Sequence, residues 1–297
     1  MKVLVTGSTG QIGKALIQYR PPDVNLEVLM DALNQSVPEL PWYRADVYDR
    51  DRLVMAITCA HPDVVIHLSE LADVDECEKN PDVAFRINRD GTDNVAEACS
   101  QCGAKMVFIS TDYVFDGRSG PYTEQDRPRP INVYGRSKLH GEFKAAERID
   151  NLIIIRISVP FGIKMEGVKH NFISRLIEEL NAGNTVPIAK DMRTTPAFIE
   201  ELVEVLWILV NKDVRGIVHY GTSDRFSRHE MALEICRTFG FSEHLVSAVT
   251  TEELGFVAKR PLESGFVTDK VQNIIGRKPI LFRNALYRMI ESAEMLV

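Results

Sequence analysis

The first thirteen residues constrain the fold of this chain more than any other stretch. Val3, Leu4 and Val5 make a short aliphatic run, followed by Thr6-Gly7-Ser8-Thr9-Gly10-Gln11-Ile12-Gly13. Such a run suits a parallel strand covered on both faces. Three glycines in a G-x-x-G-x-x-G spacing then turn the chain into a helix expected to begin near Gln11. Glycine lets the backbone approach a pyrophosphate closely, and the helix N-terminus offers free N–H groups and a positive dipole end to hold it. A second apolar run at residues 26–30 ends at Asp31. An acid at the tip of that strand can accept hydrogen bonds from an adenosine ribose 2′-hydroxyl. This opening predicts a dinucleotide site on Gly7, Gly10 and Gly13, with Asp31 beside the ribose.

The alternation continues through the first half. After a loop with Pro38 and Pro41, a helix is expected at 49–60, a strand at 63–68, a long helix at 81–101 and a strand at 105–110. A Pro-rich loop at 121–130 leads to a helix carrying Tyr134 and Lys138, then a strand at 151–157. Repeated βα units predict an α/β fold, a Rossmann-type doubly wound parallel sheet with ligands at the carboxyl ends of its strands. Beyond residue 158 the pattern loosens, with a helix near 171–181, a short strand at 186–189 and an apolar helix at 199–210. A strand at 216–220 should return to the sheet, and an amphipathic helix near 283–296 should close the chain. The expected division is a dinucleotide-binding domain at 1–158, with 192–222 returning to it. A smaller, interleaved substrate lobe is expected at 159–191 and 223–297.

Composition narrows the function. At 297 residues, with 45% hydrophobic and 26% charged residues, the chain can bury a large core plus a second lobe. Its net charge of −7 supplies no basic field for nucleic acid. No apolar run approaches the length of a membrane span, and the start of the chain reads as a strand rather than a signal peptide, so a cytoplasmic protein is expected. The five cysteines are scattered, and Cys99-x-x-Cys102 falls near a helix end with no second ligand pair, so small buried thiols are expected. The seven histidines show no metal-binding spacing, and no metal is expected.

Two segments carry the chemistry: Ser110-Thr111-Asp112-Tyr113-Val114-Phe115 and Tyr134-Gly135-Arg136-Ser137-Lys138. Positions i and i+4 are neighbours on a helix surface, so Tyr134 and Lys138 share a face. A phenol with a pKa near 10 is a poor proton carrier at neutral pH, and an adjacent ammonium is expected to bring Tyr134 down. The Thr111 hydroxyl is placed to orient a substrate carbonyl against that phenol.

With these segments in this order, the chain resembles the extended short-chain dehydrogenase/reductases, and within them the dTDP-4-dehydrorhamnose reductase family. Gly7 to Gly13 match the family's T-G-x-x-G-Q-x-G opening, and Val74-Asp75-Glu76-Cys77-Glu78 its V-D-x-x-E segment. Asn88, Gly91-Thr92, the run from Pro130 to Lys138 and Lys259-Arg260-Pro261 follow in the family's order. The resemblance implies a catalytic triad of Thr111, Tyr134 and Lys138. Tyr134 would protonate the sugar C4 oxygen, and Lys138 would hold the nicotinamide ribose. It implies NADPH or NADH as cofactor, held by Gly7, Gly10, Gln11, Ile12, Gly13, Asp31, Asp46, Val47, Leu68, Ser69, Tyr134 and Lys138. Val74, Asp112 and Tyr113 would contact the sugar, and Arg260 would grip the diphosphate. The implied substrate is a nucleotide-linked 4-keto-6-deoxy sugar, dTDP-4-dehydro-L-rhamnose first, and a homodimer is the candidate assembly.

Three departures from the family pattern stand out. His67-Leu68-Ser69-Glu70 replaces an apolar N-A-A-A, which puts a carboxylate near the cofactor, with Glu70 expected to face solvent. Arg156-Ile157-Ser158-Val159 replaces R-T-S-W, removing the Trp expected against the sugar. The D-x-x-G-x-P-T segment lacks its glycine in the stretch from Asp191 to Ala197. The chain also resembles the regulatory β-subunit of methionine adenosyltransferase, which shares its Phe115-Asp116-Gly117 ending. That resemblance implies a non-catalytic, NADP-binding partner protein, and Thr111 in place of the Ser there favours the reductase. The Val159 departure leaves reduction of another nucleotide-linked keto sugar as a third reading.

Overall fold

Val3, Leu4 and Val5 lie fully buried in the middle of a seven-stranded sheet, as their aliphatic character requires. The computed structural model describes residues 1–30, 40–163, 165, 167–168, 171–212 and 214–294. The strands are β1 (Lys2–Thr6), β2 (Asn25–Met30), β3 (Trp42–Arg44), β4 (Val64–His67), β5 (Lys105–Thr111), β6 (Leu152–Ile157) and β7 (Gly216–His219). Their order across the sheet is β7-β6-β5-β4-β1-β2-β3, with every pairing parallel. The chain winds outward from β1 to β3, then starts again on the other side of β1 at β4. That reversal opens a crevice at the carboxyl ends of β1 and β4.

Helices cover both faces. Leu16 of α1 (Gln11–Gln18) joins Leu202 and Leu206 of the helix Ile199–Asn211 against Val3, Val5 and Ile66. On the opposite face, Leu53 and Ile57 of α2 (Arg50–Ala60) and Val95 and Ala98 of the helix Gly91–Cys102 pack on Leu4, Val65 and Met106. The alternation Val3, Leu4, Val5 thus feeds two cores. A third core contains Phe161, Leu176, Phe198, Met231, Ile235 and Phe282. It joins the helices Phe172–Asn181, Arg228–Phe239 and Phe282–Glu294, beside a parallel strand pair, Val186–Ala189 with Val246–Val249.

Three elements differ from the sequence expectation. Part of the anticipated loop before residue 49 is the edge strand β3; only three residues long and largely exposed, it carries no apolar alternation. The single long helix expected at 81–101 is broken by a π-helical turn, Arg86–Asp90. Such turns gather at functional positions, and this one holds Asn88, whose side chain bonds both backbone groups of Leu71 (2.8 and 3.1 Å) and Ser137 Oγ (3.0 Å). The stretch after β4 contains an additional short helix, Val74–Lys79, capped by the Asp73 side chain accepting from the Glu76 N–H. No helix among the described residues is long and apolar enough to cross a membrane.

Candidate active site

A cleft of about 620 Å³ opens at the β1–β4 reversal, lined by residues 7–13, Asp46, Val47, Leu68, Ser69 and Glu70 among others. The three glycines serve different needs there. A Cβ at Gly7, where φ is 68°, would lie 2.8 Å from the Leu68 and Ser69 backbone, and one at Gly13 would lie 2.6 Å from Gly7 O. These two glycines are demanded by the turn itself. A Cβ at Gly10 would meet only Gly7 O, at 3.4 Å, so its missing side chain leaves room in the cleft. Helix α1 starts at Gly10 with no side chain capping its free N–H groups. A negatively charged pyrophosphate fits that bare N-terminus. Of the sequence-predicted cofactor residues, Gly7, Gly10, Gln11, Ile12, Gly13, Asp46, Val47, Leu68 and Ser69 line the cleft. Asp31 lies outside the described residues. Arg86, stacked over the Tyr48 ring at 4.8 Å, lines the same cleft and was not foreseen; it sits in the π-helical turn, where no helical spacing points to it.

Tyr134 and Lys138, which meet the cleft through Glu70, lie on the helix α6 (Val133–Arg148; α3, α4 and α5 being Val74–Lys79, Pro81–Phe85 and Gly91–Cys102). Asn132 caps α6 by accepting from the Gly135 N–H, which fixes where the helix begins. Lys138 is almost fully buried and donates to Ile109 O at 2.7 Å. Its second partner is Glu70, whose Oε2 is 2.8 Å from Nζ and accepts from the Tyr134 hydroxyl at 3.3 Å. Glu70 is exposed, as expected, yet the loop after β4, held by Asn88, turns its carboxylate onto the Tyr–Lys pair. The expected effect on Tyr134 is corrected. Burial first, and then Glu70, push its phenol well above the usual value near 10, while the Thr111 hydroxyl bonds it and pulls the other way. The charge of Lys138 is already matched by Glu70. A phenol so held keeps its proton, which suits a proton donor.

Tyr113 meets Tyr134 edge-on, with ring centroids 5.8 Å apart, and Val74 packs in the same apolar cluster. Asp112 sits elsewhere. Fully buried, it accepts from Ser264 Oγ at 2.7 Å and lies 3.2 Å from Thr194 Oγ1. Burial raises its carboxyl despite these hydroxyls. Its carboxylate faces a seam with later segments of the chain, where Asp112 and Tyr113 line a small pocket together with Arg228 and Ser264. Arg260 is no exposed turn charge, since it pairs with Asp75 at 3.0 Å and stacks over Phe256. Arg228 stacks over Phe172, and Nη1 of both arginines is buried without a hydrogen-bond partner. Both guanidinium charges act on Tyr113. Sequence reading missed Arg228. The capping box of Ser227 and Glu230 marks the helix start beside it but does not tell which way its side chain turns. Val159 has φ 45°, a strained setting for a β-branched residue, at the position where the resembling family carries Trp.

A family model described as the RmlD substrate binding domain matches residues 1–295. The dTDP-4-dehydrorhamnose reductase of Sinorhizobium fredii is 30% identical over 287 residues, covering 93% of this chain and 92% of that protein. The methionine adenosyltransferase 2 subunit beta of Danio rerio is 28% identical over 294 residues, covering 96% of this chain and 88% of that one. The crystal structure of dTDP-4-dehydrorhamnose reductase from Bacillus anthracis str. Ames in complex with NADP is similar with a TM-score of 0.85, at 28% identity, covering 98% of this chain and 99% of that chain.

Proposed function

The chain belongs to the family of the RmlD substrate binding domain, among the extended short-chain dehydrogenase/reductases, and on that premise we propose that it reduces the 4-keto group of a nucleotide-linked 4-keto-6-deoxy sugar. The first candidate is dTDP-4-dehydro-L-rhamnose, which would yield dTDP-L-rhamnose. The observation that supports the reading is the cluster of Thr111, Tyr134 and Lys138, joined through Glu70 to the glycine-floored cleft. A reduced nicotinamide dinucleotide bound in that cleft supplies the hydride. Tyr134 supplies the proton to the carbonyl oxygen, and its high pKa keeps that proton in place until charge develops there. Thr111 donates to the same oxygen and fixes its position. The unpartnered guanidinium nitrogens of Arg260 and Arg228 suit the diphosphate of the sugar nucleotide, because charge-assisted bonds to phosphate need free donors. The third core, lying beyond β6, makes up the lobe that we assign to the sugar.

The test is consumption of NADPH and of NADH against a panel of nucleotide-linked 4-keto sugars. Turnover with a dTDP-linked 4-keto-6-deoxy sugar supports the reading, and no turnover on any member overturns it. One observation favours a second reading, a non-catalytic partner of an adenosyltransferase: Glu70 already engages the lysine that would hold the nicotinamide ribose. Stable co-elution with an adenosyltransferase catalytic subunit, in a protein that turns over no sugar, would select that reading.

A further inference from the structure

Glu70 stands at a junction. It lines the dinucleotide cleft and its side chain keeps 26% of its surface exposed. Tyr134, at 8%, and Lys138, at 1%, lie behind it. A phenol that protonates a substrate must recover a proton before the next turnover, and buried Tyr134 needs a group to bring one in. The other titratable groups around it do not serve. His67 bonds Thr6 at 2.8 Å and Thr92 at 3.2 Å, and burial with Lys138 nearby lowers it to about 3. The Cys77 thiol points to Leu71 O, and burial pushes it up to about 12. Asp112 is bonded into the seam. Lys138 directs one proton to Ile109 O and another to Glu70. Arg86 lines the cleft but accepts no hydrogen bond. Glu70 alone among these touches both Tyr134 and the open cleft.

We propose that Glu70 is a third member of the Tyr134–Lys138 proton machinery, a positioning residue that carries a proton from solvent to Tyr134 after each reduction. The inference rests on the reductase reading and extends it. In the reduction, a hydride from the dihydronicotinamide reaches the carbonyl carbon while the Tyr134 hydroxyl bond breaks and its proton bonds the carbonyl oxygen. The Glu70 carboxylate takes up a proton from solvent in the cleft and passes it to the resulting phenolate, which restores both the Tyr134 hydroxyl and the carboxylate. Each cycle consumes one hydride and one solvent proton, and the residues return to their starting state. Lys138 steadies both anions in turn, since its ammonium touches the carboxylate and sits on the same helix face as the phenol.

The experiment uses Glu70→Gln, which keeps the size and hydrogen-bonding shape but carries no transferable carboxyl proton. Its first turnover, followed by stopped-flow with NADPH and the active 4-keto sugar, should match wild type. Its steady-state kcat should fall by about 10²-fold, the scale a positioned proton-transfer group contributes, with Glu70→Asp recovering part of it. An unchanged steady-state kcat in Glu70→Gln overturns the inference. So does an equal loss of first and later turnovers that Glu70→Asp does not relieve, which would mark a merely structural role. A second readout needs neither cofactor nor substrate: the ring carbon resonance of ¹³C-labelled Tyr134 should titrate at lower pH in Glu70→Gln than in wild type, because a neighbouring negative charge is gone. If wild type reduces no sugar, the reductase reading fails by itself. The titration then decides whether Glu70 governs the Tyr134 proton, and an unmoved titration overturns this inference too.

Discussion

The β1–β4 cleft is floored by glycines without side chains, a bare helix N-terminus and the main chain of residues 68 and 69, and walled by Asp46, Tyr48 and Arg86 among others. At the Asp112 seam the lining is side chains drawn from distant parts of the chain, with Asp112 bonded to Ser264 and near Thr194, and Arg228 and Arg260 beside Tyr113. The glycine floor of the cleft is thus fixed by local geometry within one βα unit. The seam depends on residues 82 and 152 positions away from Asp112 in sequence. Substrate choice should therefore diverge faster than cofactor choice, and Val159 is one position where this chain departs from the family pattern. Tyr134 and Lys138 stand where the two regions meet.

The largest expected effect tests that meeting point. Tyr134→Phe removes one hydroxyl from a helix face and should lower kcat by about 10²–10⁴-fold, with NAD(P)H affinity little changed. The proton transfer matters only in the transition state, so binding and turnover should separate. Steady-state kinetics beside calorimetric dinucleotide titration check it. A parallel loss of affinity would place Tyr134 in the cleft rather than at its junction with the seam.

Next in size is the seam. Asp112→Ala would leave Ser264 without its buried acceptor, which should cost about 1.5–3 kcal/mol of stability in denaturant unfolding. Asp112→Asn should cost much less, because it keeps an acceptor oxygen and removes a charge that burial disfavours. Neither should alter dinucleotide affinity. If either does, the two regions are coupled more tightly than the geometry indicates.

These regions were unequally legible in the sequence. The cleft was readable because its code is local: a short strand, three glycines at fixed spacing, and a helix start. The order of the sheet, including the return of β7 to its edge, followed from the same alternation of apolar strands and helices. The catalytic pair was readable because i and i+4 share a helix face. Glu70 was not, since its direction depends on a loop pinned by Asn88 from a helix 17 residues away, and nothing in the stretch from His67 to Asp73 encodes that turn. The buried ion pair of Arg156 with Glu142, 2.6 Å apart, escaped for the same reason. Arg156 sits in a strand that reads as wholly apolar, and its partner comes from α6. Strand β3 was missed because an exposed three-residue edge carries no periodic signal.

A smaller effect sharpens the account of the cleft. Gly10→Val adds atoms where no side chain opposes them, so unfolding should be close to wild type. Those atoms intrude on the space for a pyrophosphate, and overpacking of about 1–3 kcal/mol corresponds to roughly 5–150-fold weaker NAD(P)H binding. Gly7→Val should instead damage the fold, because φ is 68° and the new Cβ would meet backbone at 2.8 Å. Calorimetry and thermal melts on both variants separate ligand space from turn geometry. Unchanged NAD(P)H affinity in Gly10→Val would show that the pyrophosphate does not pass there.

The smallest effect compares the two regions through one buried histidine each. His67 lies beneath the cleft, between Thr6 and Thr92, and burial followed by the Lys138 charge lowers it to about 3. His219 ends β7 at the edge of the sheet, bonding Tyr122 O, and burial followed by the Arg156 charge likewise lowers it to about 3. Both stay neutral in the folded protein, whereas in the unfolded chain each titrates near 6.5. Between pH 6.5 and 3 the unfolded state therefore binds more protons, and stability must rise with pH across that window. The contribution is complete above 6.5 and is lost progressively as pH falls towards 3, at up to about 1.4 kcal/mol per pH unit for each histidine. His67→Asn, which restores the residue of the resembling family, should remove one histidine's share of that slope and leave the other in place. Urea unfolding at pH 7, 6 and 5 checks it. A slope unchanged by His67→Asn would show that the ring beneath the cleft takes up its proton without unfolding, and that the cleft floor is less closed than the seam.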